Sequence, residues 1–157
     1  MRFYKASVYQ ERNERWFRDY RERILLVMAY ARIEHIGSSA IPAAISKGDL
    51  DIFVAVPEDK HSSAIGLIES LGFRIKQDTL RTKDLCMLEC MDRKDIAVQL
   101  VVNQSQFESF ITFRDMLLAD EKLRDEYNLL KKQCTGLSTG LYREKKSHFI
   151  EQVLAVE

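Results

Sequence analysis

The run Ile33-Glu34-His35-Ile36-Gly37-Ser38-Ser39-Ala40-Ile41-Pro42, followed by Lys47-Gly48-Asp49-Leu50-Asp51-Ile52-Phe53-Val54-Ala55-Val56, decides how this chain is read. Arg32 to Ile36 is short and partly β-branched, which predicts a strand, and Gly37-Ser38-Ser39 turns the chain out of it. Leu50 to Val56 is an almost unbroken apolar run between Gly48 and Pro57, the pattern of a central strand covered on both faces. Alternate side chains of a strand share a face, so Asp49 and Asp51 project together while Leu50 and Ile52 point into the opposite layer. Two neighbouring carboxylates repel each other unless a cation lies between them, and hard oxygen donors favour Mg²⁺ or Mn²⁺. The glycine of the preceding turn lets backbone approach closely, so that its amides and the Ser38 hydroxyl can hold phosphate oxygens. Taken apart, the Asp-x-Asp is a solvated strand end and the Gly-Ser-Ser a simple turn. Facing one cleft, they would place a nucleoside triphosphate between them.

Working outward, Tyr9, Trp16, Phe17, Tyr20, Ile24, Leu25 and Met28 recur at helical spacing, which predicts a long amphipathic helix from Val8 to Ala29. Beyond the acidic strand, Asp59 to Leu71 reads as a helix stopped by Gly72. Phe73 to Lys76, Leu85 to Met91 and Ile96 to Val102 read as strands, the last two paired through a turn at Asp92 to Asp95. From Ser105 the period becomes helical: Ser105 and Glu108 have capping-box spacing, and Phe107, Phe110, Ile111 and Leu118 follow it. Two further helices, Asp120 to Gln133 and Tyr142 to Val156, are separated by Gly136 and Gly140. The expectation is one α/β (α+β) domain over 1–157, with a mixed sheet in 1–104 and a helical tail in 105–157. A chain of this length can bury roughly two thirds of its unfolded surface without staples.

Lys and Arg number 24, as do Asp and Glu, which argues against a dedicated nucleic-acid binder because no global basic field exists. Cys86, Cys90 and Cys134 form no Cys-x-x-Cys pair and read as reduced core thiols. Met1 to Tyr20 has no signal-like apolar stretch and Ile24 to Ala31 is too short to span a bilayer, so the expected place is the cytoplasm, away from membrane. Around the acidic strand, Lys47 can neutralise a triphosphate or simply solubilise a loop. His35 is either an acid or base beside the turn or a structural hydrogen-bonding group. His61 and His148 are expected at the surface. The tail repeats Tyr127-x-x-x-Lys131 as Tyr142-x-x-x-Lys146, each lysine beside an apolar stripe, where it either snorkels to water or lines a cleft to meet phosphate or carboxylate.

Gly-Ser, a gap of about ten residues and Asp-x-Asp on a strand is the pattern of the nucleotidyltransferase superfamily. More narrowly, the two quoted runs resemble the GrpB family, and so does the tail, through Phe113-Arg114-Asp115, Tyr127 with Lys131, Tyr142 with Lys146, and Phe149-Ile150. The resemblance covers nearly the whole chain and implies a minimal nucleotidyltransferase fold. It implies Mg²⁺ (or Mn²⁺) at Asp49 and Asp51, phosphates at Gly37, Ser38, Ser39, Lys47, Lys131 and Lys146, and nucleotidyl transfer from a nucleoside triphosphate to an unknown small-molecule or protein acceptor. Two departures stand out. GrpB proteins often carry Pro and an apolar residue where this chain has Gly48 and Asp49, so its double carboxylate is closer to active nucleotidyltransferases. Those enzymes also place a third carboxylate on a later strand, where this chain shows Gln99. Asp95 is too far along that strand to replace it, and Glu89, on the neighbouring strand, reaches the cleft only if the hairpin register allows. Some relatives are fused to dephospho-coenzyme A kinase, so a non-catalytic module binding a nucleotide or coenzyme A precursor is the alternative.

Overall fold

The computed structural model of the chain describes residues 2–155. The apolar run is the middle of the sheet: β2 (Leu50–Val56) pairs antiparallel with β1 (Arg32–Ile36) on one side and parallel with β5 (Ile96–Val102) on the other. Beyond β5 come β4 (Leu85–Cys90) and β3 (Phe73–Ile75), both antiparallel to their neighbours, giving the order β1-β2-β5-β4-β3. This is the expected mixed sheet, with the β4–β5 hairpin as read.

Strand alternation sorts the side chains into two layers. Leu50, Ile52, Val54 and Val56, with Ile96, Val98 and Leu100, pack with Tyr20, Ile24 and Met28 of α1 (Ala6–Val27 and its C-cap) and with Ala64 and Ile68 of α2 (His61–Glu69). On the other face Phe53, Ala55, Leu85 and Val101 meet Phe107 and Phe110, which lead into α3 (Ser109–Ala119). The tail then adds α4 (Glu121–Gln133) and α5 (Thr139–Ala155), which pack with α3 around Phe113, Leu117 and Tyr127. Both faces of β2 are covered, which is why its sequence is apolar in both phases except at Asp51.

Three details differ from the reading. The helix expected from Asp59 starts as a 3-10 turn over Glu58–Lys60. The helix expected at Ser105 also begins as a 3-10 turn, because the Glu108 carboxylate accepts from the Gln104 N–H and pairs with Arg32 instead of closing back on Ser105. His61, expected at the surface, is buried at the start of α2 with Nε2 2.9 Å from the Leu100 carbonyl oxygen. The expected end of the last helix at Val156 lies outside the described residues. No helix of the described residues is long and apolar enough to cross a membrane.

Candidate active site at the sheet edge

Asp51 interrupts the apolar pattern of β2 on the face turned toward the tail. Ile36 is its partner across the β1–β2 ladder, so the turn that leaves β1 is delivered directly to its carboxylate. Gly37 takes φ +76° and ψ −175°, a region open essentially to glycine alone. A Cβ at Gly37 would stand 2.5 Å from Asp51 Oδ2, inside van der Waals contact. The glycine and the acid are therefore one structural unit.

Burial raises the Asp51 carboxyl pKa and Asp49 pushes it the same way, while Lys146, a hydrogen bond from Gln99 and Lys47 act against them. Gln99 lies on the same sheet face, one strand over, and its Nε2 donates to Asp51 Oδ1 at 3.4 Å. Asp49 precedes the strand. Its carbonyl accepts from Asn13 Nδ2 at 3.2 Å, and its carboxylate lies 3.6 Å from Lys47 Nζ.

The tail supplies two lysines. Lys131 is completely buried, with Nζ 2.6 Å from both Ser38 Oγ and the Ile45 carbonyl oxygen and 4.1 Å from the centre of the Tyr127 ring. Burial, then Lys146, lower its pKa to about 6, and a neutral amine has two hydrogens for the two acceptors it meets. Lys146 is held charged, above the ordinary lysine value, by Tyr127 against the effect of burial, with Tyr142 and Asp51 adding to it. Lys146 thus lines the cavity beside Asp51, Lys131 is enclosed against Ser38 and Ile45, and Lys131 does not snorkel to water.

Not every expected residue converges there. His35 faces α1, stacked on Phe17 at 5.1 Å, and its Nε2 is 2.7 Å from Ser39 Oγ; burial, then Arg114, lower its pKa to about 4. The Ser39 hydroxyl is committed to that contact and Ser39 is buried, so Ser38 alone of the two serines presents its hydroxyl to Lys131. Glu89 shares the face of Asp51 in a lateral row through Ala97, yet it is two strands away and paired with Arg74 at 3.0 Å.

Asn13 and Asn128 shape the site without having been singled out from the sequence, and Arg114, quoted there only for the family resemblance, does so too. Asn13 also donates to the Gly48 carbonyl, and Asn128 clasps the 43–45 segment through the Ala43 carbonyl and the Ile45 N–H. Arg114 joins α3 to β1 through Glu34 at 2.9 Å and the His35 carbonyl at 3.1 Å. Asn13 had a legible signal, four residues after Tyr9 on an otherwise apolar stripe.

Beside Asp51 a cavity of about 280 Å³ opens between the sheet and the tail. Its walls are Ile36, Ile41, Met87, Phe110, Phe113 and Leu117, and Asp51, Gln99 and Lys146 stand together in its lining.

The described residues contain no group of three His, Cys, Asp or Glu side chains able to hold a metal. The donors that gather are nonetheless all hard oxygens: the Asp51 carboxylate, Asp49 within electrostatic reach of it, and Gln99 Oε1, which is buried and has no partner among the described residues. Mg²⁺ is commonly held by one or two carboxylates, with substrate phosphates and water completing its shell, so this set fits a cation that arrives with a triphosphate.

Against known proteins, a model of the GrpB protein family matches residues 6–155. A UPF0157 protein of Vibrio cholerae is 51% identical over 154 residues, covering 98% of this chain and 82% of that one. A UPF0157 protein of Deinococcus radiodurans is 28% identical over 89% of this chain and 76% of its own. The crystal structure of GrpB from Enterococcus faecalis superimposes with a TM-score of 0.72 at 16% identity, covering 96% and 98% of the two chains. Cid1, an RNA terminal uridylyltransferase, superimposes with a TM-score of 0.59 at 13% identity over 80% of this chain and 40% of that one, a likeness of fold.

Proposed function

Because the chain belongs to the GrpB family and has a nucleotidyltransferase-like fold, we propose that it transfers a nucleotidyl group from a nucleoside triphosphate to a small-molecule or protein acceptor. The observation that carries this reading is the unit formed by Gly37 and Asp51. A turn suited to phosphate and a carboxylate suited to a cation are packed against each other, and Lys131 ties the Ser38 hydroxyl into the same cleft.

In this reading Asp49 and Asp51 hold Mg²⁺ (or Mn²⁺). The cation, when bound, offsets the charge of the triphosphate and the mutual repulsion of the two acids. Gly37 and Ser38 hold phosphate oxygens through backbone and hydroxyl, and Lys146 and Lys47 supply positive charge on either side. Lys131, its pKa lowered by burial, orients Ser38, and a nearby phosphate would favour its protonated form. The acceptor oxygen then forms a bond to the α-phosphorus, the α–β phosphoanhydride bond breaks, and pyrophosphate leaves with the bonding electrons while the acceptor proton passes to water.

Purified protein incubated with each α-labelled nucleoside triphosphate, Mg²⁺ or Mn²⁺ and cell extract is expected to label an acceptor, and Asp51→Asn is expected to abolish the labelling. Absence of label with every nucleotide, or label that survives Asp51→Asn, removes the proposal. Gln99 favours a second reading, a module that binds a nucleotide or coenzyme A precursor without turnover, since an amide stands where active relatives are expected to carry a third carboxylate. Calorimetric titration with nucleoside triphosphates and dephospho-coenzyme A separates the two: saturable binding without transfer supports the module, and no binding removes both.

A further inference from the structure

The cavity beside Asp51 has a mainly apolar lining, with Asp51, Gln99 and Lys146 at one part of it and Ser109, Arg114 and Tyr127 as its other polar side chains. Elsewhere the ligand would touch hydrocarbon from Ile36, Met87, Phe110 and Leu117. A space of about 280 Å³ opens there between the sheet and the tail. It is nearly twice the volume of a cavity that accommodates one benzene ring, roughly 150 Å³, which fits two fused rings or a chain of similar bulk.

The polar end specifies the head of that ligand. Gln99 Nε2 donates one hydrogen bond to Asp51 Oδ1, and its Oε1 is buried without a donor among the described residues. The opposite orientation of the amide would set oxygen against carboxylate. Asp51 also accepts, so the ligand must bring a hydrogen-bond donor. The Lys146 ammonium lies within electrostatic reach of Asp51, and an organic ammonium set beside it would bring no triphosphate to offset its charge, which favours a neutral hydroxyl over an ammonium. A nucleobase has several edge atoms to satisfy, more than this mainly apolar lining serves.

We propose that this cavity binds the apolar body of a hydroxyl-bearing compound and sets its hydroxyl against Gln99 Oε1 and Asp51. That the bound alcohol is the acceptor rests on the nucleotidyl-transfer reading; that the cavity binds it does not.

The test is a calorimetric titration of the full chain with 2-naphthol, without nucleotide or metal, compared with 1-naphthylmethylamine and with uridine and adenosine. Saturable binding of 2-naphthol at one site is expected, tighter than the ammonium compound or either nucleoside. Ser109→Trp, which fills the cavity from the first turn of α3, is expected to weaken it by tenfold or more, with Met87→Trp as the second filling variant should Ser109→Trp fail to fold. Gln99→Leu is expected to weaken it about threefold to tenfold by removing one neutral hydrogen bond. The inference is overturned if 2-naphthol does not bind, if a folded filling variant binds it undiminished, or if a nucleoside binds more tightly and competes. Labelled transfer that fails while 2-naphthol binds removes the nucleotidyl-transfer reading alone.

Discussion

At the scale of single residues, burial favours the neutral form on both sides of the sheet, which moves the pKa of an acid and of a base in opposite directions. Asp51 faces the cleft, where burial favours its protonated form, whereas His35 faces α1, where burial and Arg114 favour its neutral form. The consequence for His35 has a definite sign. Its folded pKa of about 4 lies below the ordinary 6.5, so between those values the unfolded chain binds a proton that the folded chain refuses. Stability from this group is complete above about pH 6.5 and is lost as pH falls toward 4. Asp51 acts with the opposite sign, so the comparison of interest is with His35→Gln, which keeps a hydrogen-bonding group for Ser39 and does not titrate. Urea denaturation at intervals from pH 7 to pH 4 should show a steeper loss for the natural chain than for His35→Gln; parallel curves would mean that His35 titrates normally.

At the scale of elements, the site depends on how the tail is fastened to the sheet. Arg114 on α3 bonds the Glu34 carboxylate and the His35 carbonyl of β1, and Lys131 on α4 bonds Ser38 and Ile45. Tyr127 and Phe149 stack at 5.3 Å and join α4 to α5. Hydrogen bonds to a charged group contribute about 1.5–3 kcal/mol when buried, and Glu34, about one third exposed, should bring Arg114 toward the lower end. Arg114→Met is therefore expected to loosen the tail before the sheet: amide hydrogen exchange in α3 and α4 should rise at least several-fold while β2 and β5 keep their protection. Uniform acceleration, or none, would show that Arg114 does not fasten the tail.

At the scale of the whole molecule, the tail is half of the architecture and not an appendage. Without it Phe53, Ala55, Leu85 and Val101 would lose their cover from Phe107 and Phe110, and Ile41 and Ala44 would lose Phe113 and Tyr127. Fully burying one such large side chain is worth about 1.5–3 kcal/mol, and net stabilities of small domains are only about 5–15 kcal/mol. A chain ended at Gln104 is therefore expected to lack a cooperative thermal transition and to show collapsed amide dispersion in a nitrogen–proton correlation spectrum. A well-dispersed spectrum from residues 1–104 would establish the sheet as an autonomous unit and the tail as a lid.

What the amino-acid order determined unaided is whatever depends on local period and local turn chemistry. The run Leu50–Val56, apolar but for Asp51, had the pattern of a strand covered on both faces, Gly37 and Gly48 marked the turns around it, and the two Tyr-x-x-x-Lys repeats announced lysines out of place on apolar stripes. Helix starts were less legible, since Glu58–Lys60 and Gln106–Glu108 wind as 3-10 turns, and Glu108 pairs with the distant Arg32. The tertiary structure alone decided which side chains meet. Strand pairing turned His35 to the α1 side, where it meets Ser39, and carried Glu89 two strands from Asp51, while packing of the helical tail brought Lys131 from 93 residues away onto Ser38. The physical reason is that periodicity reports which face of an element is apolar, whereas the partner of a polar group depends on register and on long-range packing, which no short window of sequence contains.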